Sequence, residues 1–300
     1  MGQRVINSRS LDTIRVGFKT LYDAAFNAAP TYYDKVAMTV PSTAASEKYG
    51  WLGTFPGLRE WLGDRVINGL KEHSFEIVNK DFELTIGVDR NAILDDTIGV
   101  YAPMMSHLGD SAKRHPDELM FALLAAGFTS LCYDGQYFFD TDHPVLDKSG
   151  NVQSVSNFMG GSSAAWYILD TNRPIRPVIW QKRQDYNFVA LDNPNDPNVF
   201  MKKEFLYGTD GRGNAGYGLW QLATASKQTL DATNYEAARA AHTGRKTDYE
   251  KPLALSGNLL VVGPSNEGAA RRIVAAETGA NGATNVNKGT AEVLVVPYLP

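Results

Sequence analysis

The 300-residue sequence predicts an α+β fold from which an extended arm projects. Some stretches repeat apolar residues at helical spacing, others alternate as strands do, and one aromatic-rich segment follows neither pattern. That segment, residues 49–63, carries Trp51, Phe55 and Trp61 on a backbone broken by glycine and proline, so it cannot bury its own aromatic side chains. We therefore expect an arm that packs on a neighbouring copy of the chain. The alternative is two surface loops folded onto their own domain.

The first predicted element is an amphipathic helix that Pro30 ends. Its apolar residues recur three and four positions apart and share one face: Leu11, Ile14, Phe18, Leu21 and Ala25. Because this helix precedes the arm, we expect its apolar face to find its partner on another subunit.

Residues 75–88 predict the ribbon by which the arm returns. Between Phe82 and Val88 apolar and polar residues alternate strictly, as in a half-buried strand. The turn-forming residues 79–81 join this strand back to residues 75–78. The predicted arm is therefore a hairpin.

A long helical pattern follows from Pro103 to Phe128. Met104, Leu108 and Ala112 share one face, and Leu119, Leu123 and Ala126 continue it beyond Pro116. Pro116 either kinks one long helix or starts a second, with His115-Pro116-Asp117 as a helix start and Gly127 as the stop.

The rest of the chain predicts a series of shorter elements. In chain order they are a tight hairpin about Asp134-Gly135, a small sheet within Trp166 to Trp220, a helix from a Thr233 and Glu236 capping box to Gly244, a buried strand at Leu259 to Val262, a helix capped by Ser265 and running from Asn266 to about Thr278, and a terminal strand at Glu292 to Val296.

Composition excludes several classes of protein. The formal net charge of -4 argues against a protein that grips phosphates, since nucleic-acid affinity comes mainly from clustered Lys and Arg. Cys132 is the single cysteine, which excludes an intrachain disulfide and a metal cluster built on cysteines. The longest apolar run, residues 119–126, is far below the roughly 18 residues of a membrane span. We expect a soluble chain without an export signal.

Residues Gly211 to Gly216 match the dinucleotide-binding pattern G-x-G-x-x-G, and Asp231 lies near the expected acidic position. The match is formal, because residues 226–229 are polar and offer no second parallel strand. The sequence favours a glycine-rich hairpin loop between residues 204–207 and 217–222.

Asp140, Asp142 and His143 are close together and are possible metal ligands. Turn chemistry beside Pro144 explains the aspartates better. The sequence contains no Gly-x-Ser-x-Gly elbow, His-Glu-x-x-His motif or Walker loop. We therefore predict no catalytic, cofactor-binding or metal site, and no enzyme.

Several segments together strongly resemble the major head subunit of Mu-like phages and prophages, the gpT family. They are Pro41-Ser42-Thr43 through Trp51, Arg59-Glu60-Trp61-Leu62-Gly63-Asp64-Arg65, Asn79-Lys80-Asp81-Phe82-Glu83, Val88-Asp89-Arg90, His115-Pro116-Asp117-Glu118-Leu119, Tyr133 to Pro144, Gly213 to Leu222 and Leu259 to Pro264. The resemblance covers nearly the whole chain.

The resemblance implies a Hong Kong 97-type capsid fold. The expected regions are an N-terminal arm at 1–40, an E-loop at 41–90, a P-domain with a spine helix at 91–164, mainly A-domain at 165–280, and a return to the P-domain sheet at 281–300. The expected subunit contacts are made by Trp51, Phe55, Arg59, Glu60, Trp61, Asp64, Arg65 and Phe18.

The implied function is that of a major capsid protein, assembling into hexamers and pentamers of an icosahedral shell around double-stranded DNA, without sequence-specific DNA binding. The implied partners are other copies of the chain, a scaffolding protein, a portal protein, and a decoration or minor capsid protein. Assembly is expected in the host cytoplasm, and the mature location is the virion. The alternatives are a nucleotide-binding oxidoreductase resting on Gly211 to Gly216, and a phage decoration or tail protein.

Overall fold

The computed structural model describes residues 6–52, 75–95, 98–279 and 282–300. Within them the helices are α1 Ser8–Ala28, α2 Tyr33–Val36, α3 Arg90–Leu94, α4 Ala102–Ala125, α5 Pro197–Lys202, α6 Ala232–Thr243 and α7 Glu267–Val274. The strands are β1 Ala37–Pro41, β2 Ser46–Lys48, β3 Glu76–Val78, β4 Lys80–Asp89, β5 His143–Leu146, β6 Val152–Val155, β7 Phe158–Gly161, β8 Trp166–Leu169, β9 Val178–Leu191, β10 Glu204–Tyr217, β11 Ala223–Lys227, β12 Lys246–Thr247, β13 Lys251–Pro252, β14 Leu259–Val262 and β15 Glu292–Val295. This mixture of helices and mostly antiparallel sheets confirms the α+β class.

A four-stranded sheet in the order β1, β9, β10, β4 supports the first part of the subunit. The 14-residue strands β9 and β10 pair antiparallel, and β4 extends the sheet along residues 204–213 of β10. Alternate side chains of this sheet, among them Val88, Phe205 and Tyr207, pack against α1 and α4. The opposite face of β9 turns outwards, so Val189 and Leu191 are exposed.

Helices α1 and α4 cross on the covered face of this sheet. Asn7 caps α1, because its side chain accepts from the backbone N–H of Ser10 and the Ser10 hydroxyl accepts from the backbone N–H of Asn7. Gly109 lies where the two helices meet, and a Cβ there would collide with the backbone carbonyl of Tyr22. The close crossing therefore requires glycine. The predicted stop before Pro30 is confirmed, since α1 ends at Ala28.

Helix α4 is a single helix that runs through Pro116 and continues as a short 3-10 turn, Ala126–Phe128. Leu108 and Ala112 are buried as predicted, but Met104 is exposed and its neighbour Met105 is fully buried instead. The predicted helix start at His115-Pro116-Asp117 is wrong, because these residues lie in the helix interior.

Asp117 has another role there. Its buried Oδ1 accepts from the backbone N–H groups of Tyr32 and Tyr33 at 2.9 and 2.6 Å, at the start of α2. Burial raises the pKa of Asp117, against the lowering effect of these two hydrogen bonds.

A five-stranded sheet in the order β15, β14, β8, β11, β7 supports the second part of the subunit. Strands β8 and β14 are buried on both faces, as the apolar run of residues 259–262 predicts. Trp166, Ile168 and Leu260 face α6 and α7. Tyr167 and Val261 point the other way, towards the C-terminal half of α4.

Two helix starts differ from their predictions. Helix α6 is capped by Asp231, which accepts from the backbone N–H of Asn234 at 2.8 Å, so the Thr233 capping box is not used. Ser265 lies in a 3-10 turn, and α7 begins only at Glu267 and ends at Val274. Gly244 closes α6 as predicted.

The predicted pairing of residues 75–78 with residues 82–88 is wrong. β3 pairs with β2, whereas β4 pairs with β10. Asn79 between them is buried and makes side-chain hydrogen bonds instead of a turn. A ten-residue strand such as β4 gains a full ladder from the long β10, which the three residues of β3 could not give.

The glycine-rich segment 211–216 does not form the predicted hairpin loop, because β10 continues through it to Tyr217. Gly211, Gly213 and Gly216 have none of the positive φ values that a loop would require. They are needed for space: a Cβ on Gly213 would lie 2.6 Å from the carbonyl oxygen of Gln181.

The sheets cut across the predicted capsid regions. β9 and β10 fall within 165–280, but they pair with β1 and β4 of the preceding regions. β15 falls within 281–300 and pairs with β14 of the five-stranded sheet, and not with the four-stranded sheet. The segment from Trp166 to Trp220 contributes to both sheets and forms no small sheet of its own. The division into N-terminal arm, E-loop, P-domain and A-domain stays a prediction.

Candidate subunit-contact surfaces

The predicted arm, residues 49–63, lies between β2 and β3 in the sequence, and these two strands pair antiparallel. Gln181, fully buried on β9, ties both to the central sheet. Its Nε2 donates to the Ile77 carbonyl oxygen at 3.0 Å and to Asn79 Oδ1 at 2.8 Å, and its Oε1 accepts from the Tyr49 hydroxyl at 2.8 Å. With both amide hydrogens used, this buried side chain holds Tyr49 and β3 on the central sheet.

The hydrogen bonds continue into the segment before β2. Asn79 Nδ2 donates to Ser42 Oγ at 2.8 Å and to the carbonyl oxygen of Ala44 at 2.9 Å. Glu47 Oε1 in turn accepts from the backbone N–H of Thr43 and from the Ser42 hydroxyl, both at 2.9 Å. These donors hold the pKa of Glu47 below its usual range. Residues 42–52 and 75–79, which we call the root of the predicted arm, are thus organised within their own subunit.

Of the predicted contact residues, the structure describes two. Trp51 is half-buried at the root, edge-on to Tyr49 with ring centroids 6.0 Å apart. The other six predicted arm residues lie outside the described residues: Phe55, Arg59, Glu60, Trp61, Asp64 and Arg65.

Phe18 is a correction. Only 5% of it is exposed in the isolated subunit, and its ring meets Tyr207 edge-on at 5.0 Å. The expectation that the apolar face of α1 awaits another subunit is therefore wrong for this residue. The chain's own sheet and α4 supply the apolar surface, which helical spacing alone could not reveal.

Two strongly exposed apolar side chains lie side by side on α5. Phe200 is 85% exposed and Met201 76%, while Val199 points inwards and is buried. Helix α5 connects β9 to β10, so the pair stands at the tip of the longest hairpin of the described subunit. We did not predict it from the sequence, although Val199-Phe200-Met201 in a short helix carries a signal: three consecutive apolar residues cannot share one helix face.

The outer face of the sheet extends this apolar surface. Leu191 and Val189, 45% and 46% exposed, lie on β9 close to the hairpin tip. Half-buried Leu206 stands directly opposite Leu191 on β10. We call Val189, Leu191, Leu206, Phe200 and Met201 the tip patch. Exposed apolar side chains grouped around one hairpin tip in this way are typical of contact sites.

The structure offers Gly211 to Gly216 no phosphate-binding geometry. The segment lies within β10, and the chain continues into a 3-10 turn at Trp220–Leu222. A dinucleotide site needs a helix that begins at the last glycine. The formal motif match carries no cofactor site.

The structure separates the acidic candidates from His143. Asp140 organises its turn, accepting from the backbone N–H groups of Tyr137 and Thr141 at 3.1 and 2.8 Å, as turn chemistry predicts. Asp142 is exposed. The buried His143 turns instead towards residues that the sequence did not connect with it.

His143 meets Asp134 and Cys132, and one ligand atom from each of the three lies within 4.8 Å of the others. Burial raises the pKa of the Cys132 thiol. Burial also works to raise the pKa of Asp134, but hydrogen bonds from His143 and Cys132 outweigh it and hold this pKa below its usual range. The turn at residues 131–137 helps to bring the three side chains together, so their spacing in the sequence gave little indication that they form a group.

Comparisons with known proteins agree with this architecture. Residues 11–299 match the family model described as Mu-like prophage major head subunit gpT. The major capsid protein of Escherichia phage Mu is 38% identical, over 98% of this chain and all of that protein. The subunit in the procapsid of bacteriophage JBD30 is 43% identical with a TM-score of 0.87, covering 98% of this chain and all of that one.

A third comparison is with the JBD30 capsid decorated with minor capsid protein trimers. It is 36% identical to this chain with a TM-score of 0.76, covering 91% of this chain and 92% of that one. The fold is therefore the Hong Kong 97-type capsid fold that the resemblance implied. The chain belongs to the family of Mu-like prophage major head subunits, the major capsid proteins of Mu-like phages.

Proposed function

We propose that copies of this chain join through the arm and the tip patch into hexamers and pentamers, which close an icosahedral shell around double-stranded DNA. The observation that carries this proposal is the tip patch, because a monomer gains nothing from holding Phe200 and Met201 in water. Each contact can be modest, since every copy is held by several neighbours at once. A net charge of -4 suits a container that should not grip its genome.

The proposal gives the chain a structural role and no catalytic one. Trp51, Phe55, Arg59, Glu60, Trp61, Asp64 and Arg65 remain the proposed arm contacts. No helix within the described ranges is long and apolar enough to cross a membrane. Assembly in the host cytoplasm and a final place in the virion complete the proposal.

Three further partners belong to it. Like the JBD30 capsid, which is decorated with minor capsid protein trimers, the shell formed by this chain accepts a minor capsid or decoration protein. A scaffolding protein guides closure, and a portal protein occupies one vertex.

The test is assembly of the full-length chain with and without its scaffold, followed by sedimentation and negative-stain imaging. The variant Phe200→Ser with Met201→Ser removes the tip patch's most exposed side chains. The control is Val286→Ser, which changes another apolar residue, 78% exposed, on a distant segment. We expect closed shells from the wild type and the control. The double variant should yield unassembled subunits with an unchanged melting temperature. Wild-type yields of shells from the double variant would refute the role of the tip patch.

A further inference from the structure

The buried group of Cys132, Asp134 and His143 poses a charge problem that the capsid function does not explain. Cys132 and Asp134 lie in the turn closed by the bridge between Leu131 and Tyr137, and His143 begins β5. His143 is fully buried, and its Nδ1 lies 2.8 Å from Asp134 Oδ2. Cys132 Sγ lies 3.0 Å from the other carboxylate oxygen, Asp134 Oδ1.

The side chain of Asn157 fixes one proton of His143. Asn157 Nδ2 donates to the carbonyl oxygens of Phe138 and Trp220, and its Oδ1 accepts from the backbone N–H of Asp140 at 2.8 Å. Oδ1 is therefore an acceptor, and it faces His143 Nε2 at 3.3 Å. Nε2 must carry hydrogen to bond with it.

The opposite nitrogen, Nδ1, then faces a second acceptor, the Asp134 carboxylate. The 2.8 Å contact between these two acceptor atoms needs either a proton or a metal ion between them. The nearby Cys132 sulfur makes the second answer possible, because thiolate, imidazole and carboxylate together are the ligand set that zinc prefers.

We propose that this group is a zinc-type metal site, in which Cys132 Sγ, His143 Nδ1 and the Asp134 carboxylate bind one divalent ion. Bond lengths of about 2.0 to 2.3 Å place the ligand atoms of a tetrahedral zinc ion about 3.5 Å apart. The three side chains already lie within 4.8 Å of one another, so small side-chain rotations bring them into position.

The exchange balances in atoms and charge. Binding displaces the Cys132 thiol proton, and any proton on His143 Nδ1, to solvent. The Cys132 thiolate and the Asp134 carboxylate then neutralise the two positive charges of the ion. Because burial raises the pKa of the Cys132 thiol, protons compete strongly with the metal.

The surroundings meet the other requirements of a metal site. The bond from Nε2 to Asn157 is the outer hydrogen bond that orients a ligating histidine. The His143 ring stacks on Trp220, with centroids 3.9 Å apart and planes within 8°. A cavity of about 210 Å³, lined by Tyr133, Asp134 and Trp220 among others, adjoins the group on the side of Asp134.

The test titrates reduced, tag-free, full-length protein with Co²⁺ and then displaces it with Zn²⁺. The single cysteine makes the spectrum unambiguous, since only Cys132 can give a thiolate-to-cobalt charge-transfer band. We expect that band with one equivalent of Co²⁺, a change in tryptophan fluorescence, and an apparent affinity that falls as the pH is lowered, because protons compete with the metal for the Cys132 sulfur. Cys132→Ser keeps a donor to Asp134 but should bind at least tenfold more weakly and lose the band.

The matched control is Asp142→Asn, which removes an exposed carboxylate close in sequence and should bind as the wild type does. A zinc-dependent rise in melting temperature of the wild type gives a readout that does not depend on the folding of any variant. Absence of the band from the wild type at pH 8, or an equal band from Cys132→Ser, would overturn the proposal. The three side chains would then form a hydrogen-bonded group without a metal ion.

Discussion

The side-chain amide of Gln181 donates a 2.8 Å hydrogen bond to Asn79 Oδ1, and this buried contact joins the root of the arm to the longest strands of the subunit. Gln181 lies opposite Asn214 on β10, and its neighbour Trp180 lies opposite Thr39 on β1. A shift of β3 by one residue would break the contact. The pair therefore fixes the position of β3 beside the central sheet.

Asn79→Ala should destabilise the subunit by about 1 to 3 kcal/mol, because Gln181 Nε2 and Ser42 Oγ lose buried partners. Urea unfolding followed by tryptophan fluorescence measures the change. Asn187→Ala is the control, since its exposed amide donates to the Asp185 carbonyl oxygen at the surface. Equal effects of the two substitutions would show that the root hydrogen bonds contribute nothing specific.

Gly109→Ala and Gly17→Ala form a matched pair of helical glycines. A Cβ at Gly109 would collide with the Tyr22 carbonyl and force α1 away from α4, at a cost of about 1 to 3 kcal/mol. At Gly17 nothing described lies within 4 Å, so alanine should stabilise by about 0.5 to 1 kcal/mol through helix propensity. Thermal unfolding should shift in opposite directions. A shift of the same sign would contradict the crossing geometry.

Gly213→Ala should lower stability without any effect on nucleotide binding. The cause is close approach to the Gln181 carbonyl oxygen and the Trp180 ring, and not a positive φ. Calorimetric titration with NAD checks the second half. Saturable binding by the wild type at micromolar concentration, lost in Gly213→Ala, would revive the oxidoreductase alternative.

The sequence predicted local elements well. Leu259–Val262 emerged as a buried strand, and the helix around Pro116 was recognised, because apolar periodicity depends only on neighbours in the chain. Partners were harder to predict. Nothing in the alternation of residues 82–88 says whether the strand pairs with β3 or with the distant β10.

The same dependence on chain neighbours explains which functional residues the sequence did and did not reveal. The aromatic-rich segment 49–63 stood out by its composition, whereas Phe200 and Met201 carry a weaker signal, and only the structure shows how exposed they are. The sequence grouped His143 with Asp142, its neighbour in the chain, as a candidate metal ligand. Only the turn at residues 131–137 brings it to Cys132 instead.

The burial of His242 in α6 makes the fold sensitive to acid. Its pKa is lowered to about 3, by burial first and then by Arg245 and Arg239. The unfolded chain takes up this proton near pH 6.5, so the stability conferred by neutral His242 is present above that pH and is lost as the pH falls towards 3. Between pH 7 and 4.5 the loss should be about 2 to 3 kcal/mol.

The variant His242→Gln should flatten this dependence, because glutamine keeps a partner for the Thr224 hydroxyl but takes up no proton. Stability is measured by urea unfolding at pH 7 and at pH 4.5. His107→Gln, on the exposed face of α4, is the control and should follow the wild type. If His242→Gln loses as much stability in acid as the wild type, another group carries the sensitivity.

The last prediction concerns the arm, where Trp51 and Trp61 are expected to be assembly anchors. Trp51 is half-buried against Tyr49 at the root, and Trp61 lies outside the described residues. Truncation of an aromatic anchor at an interface hot spot costs about 2 to 4 kcal/mol, and the loss recurs at every copy in the shell. Trp51→Ala together with Trp61→Ala should therefore block shell closure, while the melting temperature of the subunit falls by only a few degrees, because Trp51 is half-buried against its own Tyr49.

Particle yield by sedimentation and thermal unfolding of the free subunit test this together. Tyr249→Ala is the control, since it removes an aromatic ring that is 61% exposed outside the arm. It should assemble as the wild type does. A melting temperature lowered by about 10 °C or more in the double variant, with particle yield falling only in proportion, would place both tryptophans in the subunit's own core. The arm would then be a pair of surface loops, and the tip patch would have to supply the contacts that close the shell.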